Sequence, residues 1–293
     1  MNRKGIWAAA LAVVLVLMGC LERPQEPVTI DVLLPFTPVK NQSGSSTCWA
    51  YAMLSTIETE HILRGDSVHL SVAFIERVVE RDSLAPASKR AISLTTISMM
   101  QRYGIVPYDA MPDADMPLPH KAFLYGCEYT LQEFARSVCA PGEYVAYCTD
   151  DRQPYGIEVE LDIPDNWEHH HMRNLPPGSL QLLSERAIEN HHPVCWEGDI
   201  SEWGFKFNEG YTVTGLFSGS TTDDHSMAIV GLAHDAKGRK YFVMKNSWGN
   251  NNIHGGLMLM SFDYFLQKTI LICMPRAALT PSDFLYGDNV PQK

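Results

Sequence analysis

The feature that most restricts the fold is a change of pattern near residue 190. Before it, apolar residues recur at helical spacing in three stretches: Thr47 to Leu63, Ser71 to Val79 and Leu94 to Tyr103. In the first, Ala50, Ala52, Met53, Leu54 and Ile57 form the inward set, and Glu58 and Glu60 are expected to face solvent. The third stops at Gly104 with Pro107 beyond it, a normal helix ending. Pro107, Pro112, Pro117 and Pro119 make the next stretch a loop. Ser179 is a candidate N-cap for a helix from Leu180 to Ile188. Five short apolar runs follow: Val194 to Trp196, Ser226 to Leu232, Tyr241 to Lys245, Leu257 to Met260 and Thr269 to Cys273. Gly, Asn and Asp turns separate them, and they read as strands. Helices first and strands last predict an α+β chain with two lobes and a cleft between them. At 293 residues, 45% of them hydrophobic, the chain is long enough for such a core. A net charge of −11 without a basic cluster argues against nucleic acid as a partner.

Chemistry is concentrated in three segments. In the first, Gln42-Ser43-Gly44-Ser45-Ser46-Thr47-Cys48, small polar residues deliver a Cys to the start of the first helix. A helix N-terminus favours negative charge, so the Cys48 thiol is expected to lose its proton more readily there and to act as a nucleophile. Gln42 lies close enough in sequence to set its amide NH₂ beside the Cys48 N–H. Two donors aimed at one point make an oxyanion hole. The second segment, Asp224-His225-Ser226-Met227-Ala228-Ile229-Val230-Gly231, puts a His at the start of an apolar strand. The third, Tyr241-Phe242-Val243-Met244-Lys245-Asn246-Ser247-Trp248-Gly249, puts an Asn at the end of the next strand. An antiparallel pairing would set the Asn246 oxygen against one imidazole N–H of His225 and leave the other nitrogen for Cys48, giving nucleophile, base and orienter.

Those segments resemble the papain superfamily of cysteine peptidases, in the same chain order. More narrowly, the chain resembles the bleomycin hydrolase and aminopeptidase C branch, through residues 48–64, Tyr103 to Pro107, Pro193 to Asp199 and the stretch after the Asn segment. The resemblance covers roughly Pro38 to Arg276 and is thin between Met111 and Leu175. It implies a papain-like fold, with a helical left lobe, an antiparallel β-barrel-like right lobe and the active site in the cleft. It implies Cys48 as nucleophile, His225 as general base and acid, Asn246 as orienter and Gln42 as oxyanion donor. Trp248 would cover the His–Asn contact and Trp49 would pack behind the nucleophile. Peptides or proteins are the implied substrates, with no cofactor and no metal. Ser45 stands where papain itself carries a disulfide cysteine, which favours the branch. The Gly-Gly strand that often binds substrate backbone is not evident near Lys89 to Leu94. The interval between Cys48 and His225 is too short for the insertion that bleomycin hydrolases use in hexamer assembly, so the resemblance does not carry a hexamer over and the oligomeric state stays open. The branch also implies an exopeptidase acting on free amino termini, with residues 277–293 as an arm reaching the cleft. Two other readings stay open: an endopeptidase, and a peptide-binding lipoprotein on the same scaffold without activity. Retention of Gln42, Cys48, His225 and Asn246 together argues for activity.

The first residues read as a leader. Arg3 and Lys4 precede an apolar run from Ile6 to Met18, and Leu17-Met18-Gly19-Cys20 resembles a bacterial lipobox. Residues 1–19 are then a signal peptide, and Cys20 takes the lipid. Residues 20–37 are an extended tether and residues 38–293 the peptidase domain, mainly helical over 38–175 and mainly β over 176–276. The protein is expected to be exported and held to a membrane only by that lipid. Pairing among Cys127, Cys139, Cys148, Cys195 and Cys273 is not fixed by the sequence. A Cys139–Cys148 loop is one option, and Cys195 and Cys273 read as buried thiols. His169-His170-His171 and His191-His192 read as solvated loop residues, and Trp196 and Trp203 as core aromatics.

Overall fold

The computed structural model describes residues 22–113, 115–215, 217 and 221–280. Cys20 and residues 281–293 lie outside them. In chain order the strands are β1 (Thr29–Leu33), β2 (Ala122–Leu124), β3 (Cys127–Tyr129), β4 (Tyr144–Cys148), β5 (Glu158–Glu160), β6 (His171–Asn174), β7 (Val194–Gly198), β8 (Phe205–Lys206), β9 (Tyr211–Thr212), β10 (His225–His234), β11 (Lys240–Lys245), β12 (Leu257–Ser261) and β13 (Thr269–Pro275). The α-helices are α1 (Cys48–Leu63), α2 (Val72–Arg81), α3 (Ser93–Tyr103), α4 (Leu131–Val138), α5 (Pro177–Glu189) and α6 (Phe262–Lys268). Most strands join one sheet in the order β5-β6-β4-β13-β7-β10-β11-β12-β9-β8, with β1 alongside β10. Its pairings are antiparallel except β4 with β6 and β9 with β12.

Alternation along the central strands sorts two cores onto the two faces of the sheet. Cys195, Leu271 and Cys273 face α1 to α4, where Trp49, Met53, Phe74, Met99 and Phe134 are buried. Trp196, Ile272 and Met274 face the other way, against Leu180 and Ile188 of α5 and Phe265 of α6. Local signals set several helix ends. The Ser71 hydroxyl caps α2 by accepting from the Phe74 N–H. Thr130 and Glu133 form a reciprocal capping box on α4. Gly104 ends α3 at φ +88°, where a Cβ would also lie 2.3 Å from the Leu131 side chain.

Four expectations change. Residues 22–37 are no free tether: β1 pairs antiparallel with β10 from Thr29↔His234 to Leu33↔Gly231, and Glu22 bridges Thr214. The edge of β10 beyond its pairing with β7 has open backbone groups, and β1 satisfies them. The helical lobe does not run to residue 175, because β4, β5 and β6 belong to the sheet. Helix α5 begins at Pro177 rather than after Ser179, since proline suits the first helical turn. Glu58 and Glu60 are both buried, because α1 is packed on nearly every side and most of its residues are inaccessible. At the chain's far end, the first residues of the expected arm pack on the domain, with Ala278 buried against the α5 and α6 core.

Among the described residues every cysteine is free, so Cys139 and Cys148 are separate buried thiols rather than a loop closure. The paired histidines meet carboxylates: His169 and His171 with Glu160, His170 with Glu168 and His192 with Glu60. Trp196 is a core residue bonded to the Thr269 hydroxyl, whereas Trp203 is exposed beneath the Lys206 ammonium.

Candidate active site

Cys48 opens α1. Thr47 precedes it without capping the helix through its side chain; its hydroxyl is bonded instead to Ser45 and Glu76. The first N–H groups of α1 therefore point out of the helix with no partner inside it. Across the cleft, β10 starts at His225 and β11 ends one residue before Asn246. Their antiparallel pairing brings the two together: His225 Nε2 is 2.8 Å from Asn246 Oδ1. That leaves Nδ1 as the ring nitrogen available to a thiol. The Cys48 sulfur lies close to the backbone N–H of Ser226, against the start of β10. Gln42, Cys48, His225 and Trp248 all line one cleft of about 190 Å³. A larger cavity of about 850 Å³, lined by Arg23, Val28, Leu33, Tyr211 and Ile253, shares no residue with it.

Ser247, which sequence reading passed over, fixes two of these groups. Its hydroxyl donates to Gln42 Oε1 at 2.6 Å, and its N–H donates to Asn246 Oδ1 at 2.7 Å. With its oxygen held, Gln42 spends one amide hydrogen on the Ser45 carbonyl at 2.9 Å and keeps the other. The Trp248 ring lies 4.6 Å from the His225 ring and is braced edge-on by Phe207 at 4.9 Å. Trp49 is fully buried behind Cys48, its indole N–H bonded to the Lys89 carbonyl. Of the six side chains expected at the site, five line this cleft and Asn246 joins them through its bond to His225.

The electrostatics differ from expectation. Burial pushes the Cys48 thiol up to about 12, and the Asp223 and Glu197 carboxylates add to the shift. Desolvation and two nearby acids thus act against the pull of the helix N-terminus on this thiol. Burial likewise lowers His225 to about 4, partly offset by its bond to Asn246. Burial thus favours the uncharged form of each group. Glu197 is a charged residue in an otherwise apolar strand, the one signal by which it was visible in the sequence. It is fully buried, accepts from the Ser93 N–H at the start of α3 at 2.7 Å, and is raised by burial to about 7.

In place of a Gly-Gly strand, Lys89 and Arg90 belong to the segment whose residues Arg90 and Ala91 line the cleft. Two buried or half-buried indoles hold their carbonyls: Trp49 donates to Lys89 and Trp167 to Arg90, each at 3.1 Å. The Arg90 guanidinium pairs with Asp165 at 2.8 Å and also donates to the Asp223 backbone carbonyl.

Comparison with known proteins agrees with this geometry. Residues 127–270 match the family described as papain family cysteine protease. The chain is 25% identical over 228 residues to the thiol protease SEN102 of Hemerocallis sp., covering 76% of this chain and 51% of that protein. It is 25% identical over 218 residues to chymopapain of Carica papaya, covering 73% and 49%. The chain spans about half the length of the curated relatives it matches. Among solved structures, PepW from Lactobacillus rhamnosis HN001 superimposes with a TM-score of 0.70 at 15% identity, over 95% of this chain and 91% of that one. The fold is papain-like: helices against a large, mostly antiparallel sheet.

Proposed function

We propose that this chain, with its papain-like fold and its papain family match over residues 127–270, hydrolyses peptide bonds through the Cys48 thiol. The observation that carries the reading is the His225–Asn246 bond of 2.8 Å in the cleft where Cys48 opens α1. As a peptide carbonyl approaches, the Cys48 proton moves to His225 Nδ1 and the sulfur attacks the carbonyl carbon. The oxyanion that forms sits between the remaining Gln42 amide hydrogen and the Cys48 N–H. His225 then gives its proton to the leaving amine, and water releases the acyl group by the same steps in reverse. Asn246 keeps the imidazole aimed throughout, and Trp248 keeps water from the His–Asn bond.

Two finer readings belong to the same proposal. The enzyme removes residues from free amino termini, supported by the segments that resemble the aminopeptidase C branch and by the small, acidic cleft. It is exported and lipid-anchored at Cys20, supported by the leader-like first residues.

Cys48→Ala is expected to abolish hydrolysis of a mixed peptide library and labelling by a thiol-reactive epoxide, with an unchanged circular dichroism spectrum. Turnover within tenfold of the unmutated chain would remove Cys48 from the chemistry.

A further inference from the structure

Three aspartates line the cleft beside Cys48, and they are not equivalent. Asp165 is neutralised by Arg90, which reaches one of its oxygens from Nε at 2.9 Å and from Nη2 at 2.8 Å. Asp224 accepts from the Ile200 N–H at 2.7 Å and from the Thr222 hydroxyl at 3.4 Å. Asp223 differs from both. Arg90 bonds its backbone carbonyl rather than its carboxylate, and its Oδ2 is buried with no hydrogen-bond partner among the described residues. A buried carboxylate oxygen without a donor is costly, and a native structure that keeps one has a use for it.

The position narrows that use. Asp223 is two residues from His225 and close enough to Cys48 to act on its thiol. A donor bound there lies within a residue or two of the carbonyl under attack. The cleft itself, at about 190 Å³, is smaller than the roughly 300–1,000 Å³ of ordinary ligand pockets. Arg90 and Ala91 bound it in place of an open strand. Burial and the nearby Glu197 and Asp165 carboxylates hold the Asp223 carboxyl well above the usual carboxylate range, so its ionisation waits for a cationic donor, which a neutral backbone amide does not supply. An ammonium supplies both charge and N–H donors.

We propose that the Asp223 carboxylate binds the terminal ammonium of the substrate, so that the cleft wall itself selects peptides with a free amino end. This rests on the aminopeptidase reading above and names the residue that would produce it. Asp165 and Arg90 hold the wall, and Asp224 ties it to the loop before β8.

The test is a binding measurement that needs no turnover. In the full chain carrying Cys48→Ala, calorimetry compares a dipeptide amide with its N-acetylated form. The free-amino peptide is expected to bind at least tenfold more tightly. Adding Asp223→Asn should bring that ratio close to one, and Asp223→Glu should keep most of it. A ratio unchanged by Asp223→Asn would overturn the proposal and assign the discrimination elsewhere, the chain's own C-terminal carboxylate included. An N-acetylated lysyl peptide is the control. A loss there, with none on the free-amino peptide, would overturn the terminal-amine assignment in favour of a side-chain ammonium. Absence of hydrolysis by the unmutated chain, with the binding ratio intact, would sink the peptidase reading and leave this one standing.

Discussion

At the scale of single residues, the site depends on groups that hold other groups still. The oxyanion role proposed for Gln42 depends on Ser247, which fixes its oxygen. Gln42→Ala is expected to lower kcat by roughly 10²–10³ with little change in KM, the usual worth of one such donor. A defect mainly in KM would reassign it to substrate binding. Glu197 works in the opposite sense. Burial raises its folded-state value from 4.5 to about 7, so the folded protein holds that proton more tightly than the unfolded chain. Its stabilising contribution is therefore complete below about pH 4.5 and lost as pH rises through about 7, a change on the order of 3 kcal/mol. Glu197→Gln removes the ionisation, so its Tm should exceed the parent's by more at pH 8 than at pH 5. An equal difference at both values would show that the carboxyl does not titrate in this window. The four polar site residues were legible in sequence because each sits in a segment with its own local logic: a small-residue loop into a helix, or the end of an apolar strand. Asp223, Arg90 and Ser247 were not, because each acts through contacts between segments far apart in the chain.

At the scale of elements, what joins α1 to the strand bearing Asn246 is a buried ionic group. Glu58 of α1 accepts from Lys40 at 2.7 Å, from the Leu70 N–H at 2.8 Å and from the Thr37 hydroxyl. Lys245, the last residue of β11, donates to Thr37 at 3.0 Å and to Ser55 of α1 at 2.8 Å. Burial lowers Lys245 to about 8, with Glu58 opposing the shift. Breaking a buried charge network on one side usually costs about 3–5 kcal/mol, because a cation is left without its partner. Glu58→Ala should lose about that much in urea unfolding, and activity should fall with it as Asn246 loses its support. A loss below 1 kcal/mol would mean that water replaces the carboxylate. Here the sequence misled: a glutamate on a regular helix reads as a wet residue, and only the packing of β10 and α2 over α1 reveals it as buried. The strand runs between 194 and 273 were readable because they are apolar and bounded by turns. β1, β4, β5 and β6 were not, since their mixed composition becomes strand only beside a partner already in place.

At the scale of the whole molecule, the unexpected element is the start of the described chain. A lipid on Cys20, as proposed, predicts that the full-length protein fractionates with membranes and that Cys20→Ser releases it or stalls its processing. Unprocessed protein in the cytosol with Met1 intact would contradict this. The α+β layout, helices packed against a large sheet, was legible from the order of helices and strands, but the docking of residues 22–33 was not, because proline-rich sequence carries no record of the edge it will cover. That docking has a consequence for reach. Glu22 is clamped by Lys237 at 2.7 Å and Arg239 at 2.6 Å, so almost no slack remains between the lipid and the folded body. β1 pairs with the His234 end of β10, while the other end of the same strand is His225. Ten residues of strand at ~3.3 Å each span ~30 Å. The protein's own body would then act as a rigid spacer that sets the cleft's height above the bilayer. Loose peptide ends reaching up from the surface would meet it more readily than anything lying flat against the lipid.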